Sequence, residues 1–119
     1  MTTKEIIQFW FKLWTTGDFM DLPLTNDFRH VSPFGTISGK GNYLNTVQKN
    51  RNKFLGYSFD VHEIITQGEK GSARYSCTQG DEFKLDVSKW YYLKEGMIQT
   101  IYAYYHIGEI KKERQIKDY

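Results

Sequence analysis

The sequence predicts an α+β domain, with N-terminal helices packed on a curved, mostly antiparallel sheet. Three observations predict it. Near the N-terminus, apolar residues recur with helical spacing at Ile6, Ile7, Phe9, Trp10, Leu13 and Trp14. From Tyr57 onward the period changes to two. The connections in that second half, QGEKG, QGD and KEG, are tight-turn sequences. Helices first, then hairpin-linked strands, is an α+β layout.

Thr2 and Glu5 have the spacing of a capping box, so a helix starts there. Phe11 widens its apolar arc and predicts burial on more than one side. Gly17 is a natural stop. Asp18 is placed to cap a short second helix through Leu22, and Pro23 ends it. A short strand follows from Phe28 to Ser32, with Phe28, His30 and Ser32 on one face and Arg29 and Val31 on the other. Pro33 and Gly35 break it. Ser38, Gly39 and Gly41 lead into a third helix, roughly residues 40 to 54, with a stripe of Leu44, Val47, Arg51 and Phe54/Leu55.

Four strands remain: YSFDVHEIIT, SARYSCT, EFKLDVSKWYYL and MIQTIYAYYHI. They form an antiparallel meander. Its apolar face must be covered, and the apolar helices are the early ones. Packed across the sheet, they leave a conical hollow at one end. The tail EIKKERQIKDY is charged and reads as a frayed helix or a disordered end.

Composition narrows the function. The chain has 119 residues, one domain's worth, and can bury a core without metals or disulfides. Aromatic residues make up 17%, which predicts an aromatic core or an aromatic-lined cavity. A net charge of +2, scattered along the chain, argues against nucleic acid as a partner. No apolar run is long enough for a membrane span. Cys77 is the one cysteine and fits a reducing, cytoplasmic setting. His30, His62 and His106 lack ligand spacing, so neither a metal nor another cofactor is expected.

The segments LWTTGDFMDL, VSPFGTISGKGNYL and LDVSKWYYLKEGMIQTIYAYYH carry a family resemblance. Their order and spacing resemble the nuclear transport factor 2-like superfamily, in its ketosteroid isomerase and SnoaL-like polyketide cyclase branches. The resemblance covers roughly residues 4 to 107. It implies a cystatin-like cone over residues 1–108, with 109–119 as a tail. It also implies what is missing. Ketosteroid isomerases end the strand in Asp-Pro-x-Gly with the Asp as base; here that position is Ser32. Their oxyanion-holding Tyr and protonated Asp match Trp10 and Lys89. Steroid isomerisation by that mechanism is therefore not expected. The superfold hosts many reactions and also non-catalytic binders, so the fold alone names no chemistry.

Two residues carry the catalytic expectation. Lys89 is the lone charge on a strand face shared with Phe83, Leu85, Val87, Tyr91 and Leu93. Inside the hollow it is a base, a Schiff-base amine or a seat for an anion; otherwise it snorkels to the mouth or pairs with an acid. His30 is either a base standing in for the missing carboxylate or a hydrogen-bonded core histidine. Trp10, Trp14, Ser32, Phe34, Tyr91 and Tyr105 are the expected ligand-binding walls. His106 falls on the face opposite Tyr105, toward solvent or a partner. Arg74 faces inward or outward according to a one-residue register.

Two functions follow. One is an isomerase- or cyclase-like enzyme acting on a small apolar cyclic or polyketide-like molecule by acid–base chemistry. The other is a non-catalytic ligand binder or dimeric accessory protein. Trp90, Tyr92, Tyr102 and Tyr104 lie on the other sheet face, which the helices are too few to cover, and predict a homodimer through the sheet.

Overall fold

Helix α1 (Thr3–Thr16) starts on the capping box: Thr2 Oγ1 accepts from the Glu5 amide and the Glu5 carboxylate accepts from the Thr2 amide. Such caps contribute about 1 kcal/mol. Gly17 ends the helix at φ 83°, and its N–H returns to the Leu13 carbonyl. The computed structural model of the chain describes residues 1–81, 83–108 and 112–114. These form three α-helices, adding α2 (Lys40–Lys49) and α3 (Arg51–Phe54), and six strands. The strands are β1 (Leu24–Ser32), β2 (Gly35–Ser38), β3 (Ser58–Gln67), β4 (Lys70–Gln79), β5 (Phe83–Lys94) and β6 (Met97–Tyr104).

The strands make one curved sheet in the order β2-β1-β6-β5-β4-β3. The run from β3 to β6 is the antiparallel meander that the alternation predicts. The sheet is larger than that meander. β1 begins at Leu24, four residues before the expected start, and lies parallel to β6. Gly35 and Gly39, at φ 125° and 95°, bracket β2, which folds back on β1. The expected turn between Ser32 and the next helix is therefore a hairpin arm. The Ser32 hydroxyl oxygen accepts from the Phe34 amide at 3.2 Å and shapes that turn.

The helices differ from expectation in detail. The expected second helix is a single 3-10 turn over Phe19–Asp21, and the Asp18 side chain does not cap it. The Asp18 carboxylate instead accepts from the Thr16 hydroxyl. The third helix is split at Asn50 into α2 and α3. Arg51, on its apolar stripe, lays its guanidinium over the Phe19 ring at 5.5 Å. The last strand stops at Tyr104, not Ile107. The charged tail falls mostly outside the described residues; within it, Lys112–Arg114 forms one 3-10 turn.

The core lies between α1 and the concave face. Ile6, Ile7, Trp10, Phe11 and Leu13 are buried, the wide arc that Phe11 implies. Each such side chain contributes about 1.5–3 kcal/mol on burial. Gly71 sets how closely helix and sheet approach: a Cβ there would lie 2.7 Å from Ile7 Cδ1. Tyr91, paired with Gly71 across the sheet, fills this narrow end.

Candidate functional site

Helix α1 covers β3 and β4, while α2 covers β1 and β2. Between the two helices the concave face stays open. A cavity of about 290 Å³ lies there, near the lower end of small-molecule sites.

Strand alternation aims Val87, Lys89, Tyr91 and Leu93 inward and Trp90 and Tyr92 outward. Lys89 thus becomes a buried cation lining the cavity. Its Nζ lies 5.2 Å from the Trp10 ring centroid and 5.5 Å from that of Tyr75. Among the described residues it has no ion pair, and no carboxylate lines the cavity. Burial brings the Lys89 pKa down from 10.5 to about 8, with Cys77 weakly opposing. The ring faces partly offset the lost hydration, by about 0.5–2 kcal/mol each.

His30 enters the same cavity from β1. Its ring stacks at a tilt on Tyr43, centroids 5.2 Å apart. Among the described residues no hydrogen bond to its ring is present. Burial, and then the Lys89 charge, push its pKa down from 6.5 to about 3. The imidazole is therefore neutral at neutral pH, and each residue disfavours a second positive charge on the other.

Trp10, Trp14, Ser32, Phe34 and Tyr105 also line the cavity. Phe34 is 77% exposed and meets Tyr105 at 6.0 Å, forming the lip. Tyr91 departs from expectation. It faces inward, but lies two residues beyond Lys89, where α1 closes on the sheet, and packs edge-on behind Trp10 instead of lining the cavity. Arg74 is also resolved. Ala73 pairs with Lys89, so Arg74 faces outward and meets Glu63 at 3.0 Å. His106 is exposed.

The family model described as "SnoaL-like domain" matches residues 7–101. This chain belongs to the SnoaL-like family. No curated protein matches the chain. The SnoaL-like domain is similar in fold to an NTF2-like protein of unknown function from Cytophaga hutchinsonii, with TM-score 0.76, 20% identity, and 89% of this chain and 91% of that one covered. It is similar to a protein from Kribbella flavida described as a candidate ketosteroid isomerase, with TM-score 0.74, 16% identity and coverage of 98% and 89%. It is also similar to an LEH-like epoxide hydrolase of M. tuberculosis, with TM-score 0.69, 15% identity and coverage of 87% and 82%. At these identities the likeness establishes the cone fold of the SnoaL-like domain.

Sequence reasoning missed several walls of the SnoaL-like cavity. Tyr43, Phe54, Phe59, Tyr75 and Cys77 all line it. Tyr75 and Cys77 share the inward alternation of β4 with Ala73, a signal available once the register is known. Tyr43 stands one position before Leu44 on the α2 stripe and is equally buried.

The outer face carries a polar cluster that sequence reasoning also passed over. His62 Nε2 lies 2.8 Å from Ser76 Oγ, and Ser76 donates to Asp86 at 2.6 Å. Because the Ser76 proton goes to Asp86, His62 donates to the hydroxyl and cannot deprotonate it. The polarity is the reverse of an activated serine. Among the described residues no group of three His, Cys, Asp or Glu is placed to hold a metal ion. No helix among them is long and apolar enough to cross a membrane.

Proposed function

We propose that this domain binds a small, mostly apolar cyclic or polyketide-like molecule bearing a carbonyl, and transforms it by acid–base chemistry of the isomerase or cyclase type. One observation carries the reading: an imidazole and an ammonium open into the same aromatic chamber, whose wall has no carboxylate among the described residues.

In this reading Lys89 directs an N–H at the ligand oxygen, where negative charge grows as a proton leaves the adjacent carbon. His30 takes that proton. Two cations are disfavoured in one chamber, so the proton gained by His30 is matched by one that Lys89 gives to oxygen. The net charge then stays constant. The resemblance assigns the isomerase base to position 32, where a hydroxyl stands; the base passes to His30, two residues earlier on the same strand face. The fold relative described as a candidate ketosteroid isomerase supports this reaction class.

Deuterium exchange at the α-carbon tests the reading. A panel of cyclic ketones is screened by quenching of Trp10 and Trp14 fluorescence, and binders are followed by NMR in D2O. Exchange is expected with wild type and lost with His30→Ala, whose ligand affinity changes little. Equal exchange by wild type and H30A sinks the mechanism. Failure of every apolar ketone to bind sinks the site.

The outer face supports a homodimer formed sheet to sheet. Trp90, Tyr92 and Tyr104 are 46%, 39% and 58% exposed, and with Tyr102 they line one broad concavity. Cys77 is an unpaired, buried thiol and supports a reducing cytoplasmic setting.

A further inference from the structure

We propose that Lys89 forms a Schiff base with the carbonyl of its ligand, so that the chamber takes an aldehyde or ketone on an apolar body and holds it covalently. The inference rests on the reading that the chamber binds such a ligand, and puts a covalent bond to carbon in place of the hydrogen bond from Lys89 to oxygen.

The first ground is what surrounds the nitrogen. A lysine amine attacks carbonyl carbon only through its free lone pair, and a neighbouring carboxylate suppresses that by holding the ammonium form. The Lys89 side chain is nine-tenths buried, yet its Nζ meets the rings of Trp10 and Tyr75. Among the described residues no carboxylate lines the chamber. Desolvation without a counter-charge is the environment that activates lysine nucleophiles. The lowering of its pKa to about 8 agrees in direction. At pH 7.5 the free-amine fraction is then roughly two-hundredfold above that of an unperturbed lysine.

The second ground is His30. An imidazole with its pKa held near 3 is a weak base. From a ketone activated only by a hydrogen bond, so weak a base removes the α-proton slowly. A protonated imine withdraws electrons from the α-carbon more strongly than the parent carbonyl, which brings the proton within reach of a weak base. The imine therefore accounts for both groups together.

The step balances without an oxidant or reductant. Nζ supplies the electron pair of a new C–N bond while the carbonyl π pair moves to oxygen. Two protons leave nitrogen, and the oxygen departs with them as water. Ammonium plus carbonyl become protonated imine plus water, and the single positive charge is retained.

Reductive trapping of the full chain tests the proposal. The protein is treated with equimolar 2-naphthaldehyde and sodium cyanoborohydride, then mapped by tryptic mass spectrometry. One naphthylmethyl group is expected on the peptide Leu85 to Lys94, uncut at Lys89, roughly tenfold or more above any exposed lysine. Its labelling should rise through about pH 8, below the range of ordinary lysines. Lys89→Met and Lys89→Arg, checked for folding by circular dichroism, should lose that label. Labelling spread over exposed lysines, with no preference for Lys89 in wild type, overturns the proposal whatever the variants do. Calorimetry with 2-naphthalenemethanol, which cannot form an imine, separates the two levels. If the alcohol binds while Lys89 stays unlabelled, the imine fails and the cavity reading stands. If neither occurs, both fail.

Discussion

The Lys89 Nζ sits 5.2 Å from the centroid of the Trp10 ring, a cation held against an indole where a salt bridge would be the ordinary arrangement. Function and stability pull in opposite directions at this position. Folding lowers the lysine pKa from 10.5 to about 8, so between those values the unfolded chain binds more protons. Stability therefore rises with pH across that window, and burying the ammonium costs stability below it. Lys89→Met should raise unfolding free energy at pH 7 by about 1–3 kcal/mol, after the lost ring contacts are allowed for. The gain should shrink between pH 8 and 10.5. Urea melts at pH 7 and pH 10 check this; a destabilised K89M at pH 7 contradicts it.

His30 gives the complementary acid behaviour. Its folded pKa of about 3 lies below the ordinary 6.5, so the unfolded chain takes up a proton first as pH falls. Stability should drop from pH 6.5 toward pH 3 by up to about 1.4 kcal/mol per pH unit from this residue. Carboxylates titrate in the lower part of that range, so the test is a difference. The pH dependence of wild type minus that of His30→Gln should have this slope; parallel curves for the two proteins would refute it.

Gly71→Ala should destabilise the fold by about 1–3 kcal/mol. The added methyl would meet Ile7 Cδ1 at 2.7 Å, Thr66 Cγ2 at 3.0 Å and the Ile65 carbonyl at 3.1 Å. Relief requires the Ile7 side chain to swing aside or α1 to lift, and α1 carries Trp10 and Trp14. Thermal melting should show the loss, and the indole emission should shift to the red. Ile7→Val in the same chain should recover part of the stability.

Trp90→Glu should convert the proposed dimer to monomer, because it places a charge amid exposed aromatic rings on the outer face. Light scattering reads the mass directly. An unchanged dimer removes this surface from the interface.

The meander and α1 were legible because each repeats a strong pattern. Lys89 stood out as one charge among inward apolar residues, and alternation alone aimed it correctly. The parallel pairing of β1 with β6 had no local signature: Arg29 meets Thr100 and His30 meets Ile101 through contacts far apart in sequence. β2 was hidden because four residues that open on Gly35 and run into Gly39 read equally well as a turn. The depth of the cavity was hidden for another reason. Tyr91 and Lys89 share a face, and only the close approach at Gly71 decides that one fills the narrow end while the other borders open space.

The adjacency of β1 and β6 also dictates when the chamber can exist. His30 is made early in translation, but its neighbour Ile101 is among the last residues of the sheet to leave the ribosome. No partial chain can assemble the wall between them. Binding competence must arise in a late, long-range closure, which belongs to the slower class of folding events.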